Sequence, residues 1–166
     1  FYVACLLPVD VTVGASLLGA QILAMFFRSR RSVPPMRPPH TASVTILIPS
    51  WDGRPLLEEF LPSVMEAAGN HEVMVVDNGS KDDSVEFLKS RFPKVRVLQL
   101  DRNYGYSEGN NRGIKYVKTD VVVLLNNDMA VDPGFLRPLL KPFSDPDVFA
   151  VASQVAMADK SKSRFE

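Results

Sequence analysis

VVVLLNNDMAVDPG, residues 121–134, sets five aliphatic side chains directly before two amides and a carboxylate, Asn126, Asn127 and Asp128. An unbroken run of branched aliphatics is the pattern of a strand buried on both faces. An unpaired polar group is costly to bury. Such a strand therefore either ends at the surface here or presents its tip to something polar, and the rest of the chain has to decide which.

Upstream, the same kind of run recurs, each time followed by a helical pattern. Residues 44–48 (VTILI) form a short β-branched run closed by Pro49. Residues 54–68 place Leu56, Leu57, Phe60, Leu61, Val64 and Met65 at helical spacing, and Gly69-Asn70 stops them. A second strand is expected over 72–76 (EVMVV). Ser80 and Asp83 have the spacing of a capping box that would open a helix over 82–91. A third strand is expected over 95–100, then a glycine-spaced segment leading into a helix that ends near Val117, then the strand 121–125. Residues 150–155 read as a fifth strand. Strands alternating with helices predict an α/β fold with a mostly parallel sheet and helices on both faces. No internal repeat is present.

The other end of the chain is different. Residues 1–27 are almost entirely apolar, and 11–27 alone would extend about 25 Å as a helix. Counting back to Val3 reaches the roughly 30 Å of a bilayer core, with Asp10 near an interface where its cost is small. Arg28, Arg30 and Arg31 follow as the basic flank expected on the cytoplasmic side. A cleaved signal would carry its basic residues before the apolar stretch. The expectation is one transmembrane helix over 1–27, single-pass, then a basic and proline-rich linker over 28–43. A domain over 44–166 would follow it, facing the cytoplasm. The chain starts at Phe1 and ends in KSKSRFE, as a piece of a longer protein would.

Composition removes several function classes. Lys+Arg and Asp+Glu balance at 19 each, so no overall charge points to nucleic acid. Cys5 is the only cysteine, which excludes an intrachain disulfide and a cysteine-built zinc site. His40 and His71 are the only histidines, and they have no metal-ligand spacing.

In an open parallel sheet, ligands bind beyond the carboxyl ends of the strands. Polar residues collect at all four expected ends: Ser50 and Asp52; Asp77, Asn78 and Ser80; Arg102 and Asn103; Asn126, Asn127 and Asp128. Neither the P-loop pattern nor the dinucleotide glycine fingerprint occurs. Gly105, Gly109 and Gly113 recur every four residues; Gly105 suits a flexible loop with a positive φ, and for the other two close packing of helix on sheet competes evenly with ligand contact. Asp77 suits a base or a ribose, or simply a turn. Asp128 suits a hard divalent cation that also takes phosphate oxygens, or a surface turn into Asp132-Pro133-Gly134. Spacing alone leaves these alternatives balanced.

Four segments in order, VTILIPSWDGRPLLEEFLPSV, VMVVDNGSKDDSVEFL, NYGYSEGNNRGI and VVVLLNNDMAVDPGFL, resemble those of a family 2 glycosyltransferase of the GT-A fold. The resemblance implies that Pro49 and Asp77 hold the base and ribose of a nucleotide-sugar donor, with Ser50, Asp52, Asn78 and Asn127 beside them. It implies that Asn103, Gly105, Asn110 and Asn111 border the nucleotide. Asn126-Asn127-Asp128 stands at the family's D-x-D motif, whose last carboxylate, Asp128 here, would bind Mg2+ or Mn2+ with Asn126 alongside. Asn126 in place of aspartate implies a weaker cation site that leans on the diphosphate. Asp52 replaces an asparagine frequent in the family.

Transfer with inversion onto an acceptor hydroxyl is the implied reaction. Its general base lies in the acceptor half, expected beyond Glu166, and no residue of this chain is assigned to it. A glycan or lipid-linked acceptor at the membrane is the implied partner. A nucleotidyltransferase is the rival enzyme, but it needs a basic cluster near the first strand, where only Arg54 stands. A non-catalytic nucleotide-binding remnant is the rival outside enzymology.

Overall fold

A computed structural model of the chain describes residues 41–153. The expected membrane span at 1–27 and most of the linker lie outside them. Among the described residues no helix is long and apolar enough to cross a membrane.

Four strands, β1 (Val44–Ser50), β2 (Glu72–Asp77), β3 (Arg96–Gln99) and β4 (Val121–Leu124), make one parallel sheet in the order β3-β2-β1-β4. The helices between them are α1 (Arg54–Ala68), α2 (Ser84–Arg91) and α3 (Gly105–Ile114). A short α4 (Leu136–Leu140) and a 3-10 turn (Lys141–Ser144) follow β4.

Order and handedness together explain the layers. The chain steps from β1 to β2 to β3 in one direction, then returns past β1 to β4. Because such crossovers are right-handed, α1 and α2 fall on one face and α3 on the other. Alternate residues of β1 and β2 sort accordingly. Val44, Ile46, Ile48, Val73 and Val75 pack with Leu57, Leu61, Val64, Phe87 and Leu88 from α1 and α2. Leu47, Met74 and Val76 pack on the other face with Leu98, Ile114 and Val122. Gly113 lets α3 press onto that face, since a Cβ there would lie 2.6 Å from Val76 Cγ2 and 2.8 Å from Leu47 Cδ1. Close packing is therefore the role of this glycine.

Proline and glycine punctuate α1 as the sequence implies. Pro55 sits in its first turn, where no donor is needed. Gly69 ends it at φ 56°. Pro62, inside the helix, lies on its exposed side.

Several expectations need correction. Among the described residues the strand at 121–124 is not buried on both faces. Within the described sheet β4 is an edge strand, its first three residues are partly exposed, and Leu124 is 47% exposed. An aliphatic run marks a strand but carries no information about its place in the order. The capping box is absent: Asp83 is the N-cap of α2 without a side-chain cap bond. The Ser80 hydroxyl instead accepts the Asp52 N–H at 2.9 Å, and Asp82 accepts the Ser84 N–H at 3.1 Å. Residues 150–153 form no strand, and the rest of the expected fifth strand lies outside the described residues. The third strand and the third helix are shorter than expected, at 96–99 and 105–114.

Candidate functional site

The strand order reverses direction between β1 and β4, so the crevice beyond their carboxyl ends is the place where such sheets bind ligands. Register fixes what lines it. Ser50 pairs with Asp77, and Leu47 with Leu124. Continuing the second pairing by three residues sets Asn127 beside Ser50, and the Asn127 amide does donate to Ser50 Oγ at 3.2 Å. The expected residues at the tips of β1, β2 and β4 thus share one rim.

At the tip of β2 the polar groups are inside the protein. Asp77 is 1% exposed; its Oδ2 accepts the Ser80 N–H at 3.3 Å, while its Oδ1 is buried without a partner. Orphaned buried acceptors are rare in folded proteins and call for a reason. Asn78 next to it is fully occupied. Its amide nitrogen donates to Asn103 Oδ1 at 3.0 Å and to the Gly105 carbonyl at 3.1 Å, and its Oδ1 accepts the Tyr104 N–H at 3.0 Å. Asn103 Oδ1 also takes the Gly105 N–H at 2.7 Å. Asn78 and Asn103 therefore brace the loop into α3. Gly79, at φ 73°, allows the loops after β2 and β3 to touch, since a Cβ there would lie 2.5 Å from the Arg102 backbone.

Tyr104, in that loop, is held from three sides. The Arg112 guanidinium lies 3.7 Å over its ring and that of Arg102 at 4.8 Å, while its hydroxyl donates to Asp101 at 2.8 Å. This hydrogen bond is the main reason that the Asp101 carboxyl sits below its ordinary pKa.

On α3, Gly109 lies against Asn78: a Cβ would meet its amide at 3.1 Å. Asn110 is 3% exposed, and both polar atoms of its side chain lack partners. Asn111 is exposed.

The loop after β1 is knitted to the loop after β2. Asp52, at φ 46°, accepts the Lys81 N–H at 2.6 Å, and Asp82 accepts the Arg54 N–H at 3.0 Å. Burial raises the pKa of Asp82, but hydrogen bonds from the Ser84 hydroxyl and from the Arg54 and Ser84 N–H groups outweigh it. The carboxyl ends below its ordinary value. Asp52 is thus occupied in joining two loops. Pro49, on β1 beside Ser50, is partly exposed at the rim.

The tip of β4 faces solvent. Asn126 and Asp128 are exposed and Asn127 is half-buried. Asn126 Oδ1 accepts the Tyr106 hydroxyl at 3.0 Å. The Asp128 carboxylate takes no hydrogen bond or ion pair from the described residues. Among those residues no three acidic, histidine or cysteine side chains converge as an all-protein metal cage. A lone exposed carboxylate does fit a cation that draws its remaining ligands from phosphates and water, as Mg2+ commonly does.

Gly53 and Tyr106 join this rim although the reading of the sequence gives them no place in the site, and Ser80 joins it too. Ser80 was visible as one more polar residue at a strand end. Nothing local marks Tyr106 or Gly53: Tyr106 meets Asn126, 20 residues away, and Gly53 leaves room for Asn127, far along the chain.

Comparison with known proteins places this chain in a family. The chain is 39% identical over 108 residues to an undecaprenyl-phosphate 4-deoxy-4-formamido-L-arabinose transferase of Pseudomonas savastanoi pv. phaseolicola, covering 59% of this chain and 32% of that protein. It is 28% identical over 122 residues to a dolichol-phosphate mannosyltransferase of Pyrococcus furiosus, covering 70% and 34%. Among solved structures, the mannosyltransferase PcManGT from Pyrobaculum calidifontis, in complex with GDP-Man and Mn2+, superposes with a TM-score of 0.57 at 24% identity, covering 83% of this chain and 44% of that one. Residues 1–349 of TarS from S. aureus, in complex with UDP-GlcNAc, give 0.52 at 21%, covering 58% and 29%. At these identities the two structures show the fold. The chain spans about a third of the length of either curated relative. The family model for glycosyl transferase family 2 matches residues 45–165, nearly three-quarters of the sequence, and the chain belongs to glycosyl transferase family 2.

Proposed function

We propose that residues 44–166 form the donor-binding part of a glycosyltransferase, which holds a nucleotide-sugar in the crevice between β1 and β4. The observation that carries this reading is Asp77. It is a carboxylate buried at a parallel strand's tip with one oxygen left unpaired, in a chain of this family. A ligand donor such as a base N–H or a ribose hydroxyl would satisfy that oxygen, and Pro49 would border the same group. Asn110, buried with an unpaired amide, is the second unsatisfied group on this rim and the one offered from α3.

Toward the diphosphate, Asp128 would hold a divalent cation, Mg2+ or Mn2+, with Asn126 beside it. When bound, that cation would neutralise charge on the departing nucleoside diphosphate. Asp128 is exposed and uncommitted, which lets it approach a cation that arrives with the donor. Asn126 brings no charge, and its oxygen already accepts from Tyr106, so it would be the weaker ligand of the two. An acceptor hydroxyl would attack the anomeric carbon from the face opposite the diphosphate, inverting its configuration. The relatives named for undecaprenyl phosphate and dolichol phosphate support a lipid-linked acceptor. A membrane anchor at residues 1–27 would bring the site to such an acceptor from the cytoplasmic side.

Isothermal calorimetry with UDP-, GDP- and dTDP-sugars, with and without Mn2+, tests this reading. Binding of one base class is expected, tightened by Mn2+, and lost in Asp77→Ala. A chain that binds none of the three has another function.

A further inference from the structure

Side-chain hydrogen bonds join the four loops of the rim in a closed ring. Asn78 grips the loop that leads into α3. From the first turn of α3, Tyr106 reaches Asn126 after β4. Asn127 reaches Ser50 at the end of β1, and Asp52 accepts from Lys81 after β2, which returns to Asn78.

The link between β4 and β1 is made by Asn127. Asn127 is half-buried there while its neighbours Asn126 and Asp128 are exposed. Its amide nitrogen donates to Ser50 Oγ. Room for the contact exists because residue 53 has no side chain: a Cβ at Gly53 would lie 2.5 Å from both Asn127 Nδ2 and Ser50 Oγ.

We propose that Asn127 is a positioning residue and not a ligand of the donor. Through Ser50 it holds the loop bearing Asp128 against the turn that opens α1, and Gly53 keeps the space that this contact needs. The consequence is a division of labour in Asn126-Asn127-Asp128: the first two side chains are tied to α3 and to β1, and the third makes no hydrogen bond or ion pair with the described residues. This inference rests on the functional reading above.

A double-mutant cycle tests it, with Mn2+ titrated into the 166-residue chain in the presence of UDP, GDP or dTDP, each separately, and free Mn2+ followed by electron paramagnetic resonance. Asn127→Ala and Ser50→Ala are each expected to weaken Mn2+ binding about tenfold, the low end of the effect of removing a residue that orients a metal ligand. The double variant should be no weaker than either single, because both break one contact. Gly53→Ala should weaken Mn2+ binding similarly although it removes no polar group. Losses that add in the double variant, or a Gly53→Ala protein that binds like the parent, overturn the positioning role. A parent that binds Mn2+ with none of the three nucleotides overturns the functional reading, and this inference with it.

Discussion

The tips of β2 and β4 are both runs of aliphatics that end in an acid and amides, yet the protein treats them in opposite ways. At β2 the acid and its neighbouring amide are 1% and 5% exposed, and the amide makes three hydrogen bonds. At β4 the acid is exposed and has no partner among the described residues. The cause is position in the sheet. Flanked by β1 and β3 and covered by helices, β2 has a tip enclosed by the loops of its neighbours, whereas β4 stands at the edge of the described sheet. An enclosed acceptor suits recognition of a fixed group such as a base or ribose. An open one suits a cation that comes and goes with its phosphates.

This contrast can be broken by substitution at either tip. The largest expected effect is at β4: Asp128→Ala should reduce Mn2+-dependent nucleotide binding below detection by calorimetry. It should leave the unfolding free energy within about 0.5 kcal/mol, as for exposed positions generally. Retained metal-dependent binding would remove Asp128 from the site.

At β2 the reverse is expected. Asn78→Ala strands the Tyr104 N–H and the Gly105 carbonyl and should cost about 1–3 kcal/mol of stability in urea unfolding. Asn126→Ala, its counterpart at β4, should cost no more than about 0.5 kcal/mol. Equal costs at the two tips would mean that enclosure is not what separates them.

The smallest effect concerns Asp82, in the loop that closes over the tip of β2. Its pKa is lowered in the folded chain, so its stabilising contribution is complete above the unfolded-state value of about 4 and is lost as pH falls through the lower folded value. Urea unfolding should therefore show the parent more stable than Asp82→Asn at pH 6, with the gap closing below about pH 4. A gap that persists in acid would assign the effect to geometry instead of charge.

How far the sequence could be read varies by element. β1 and β2 were clear because both faces are covered, and full burial leaves an uninterrupted apolar run. The start of α2 was not: Ser80 and Asp83 have the spacing of a capping box, but the Ser80 hydroxyl found the Asp52 N–H, 28 residues away. Gly109 and Gly113 were ambiguous until packing resolved them against Asn78 and against Val76 and Leu47. Among site residues, Asp77 and Asp128 stood out because each closes an aliphatic run. The parts of Asn78 and Asn127 in bracing the rim could not be seen, since their partners lie 25–27 and 77 residues away.

Local pattern was enough to establish the alternation of strands and helices, the parallel pairing and the gathering of polar residues at the strand ends. Each of these follows from periodicity and from the cost of burying polar groups, and both act within a few residues. The order of the strands, the edge position of β4 and the choice between bracing and binding for each polar side chain follow from which loops meet. Those meetings depend on register between strands far apart in the chain, and no short stretch such as LLNNDM contains it.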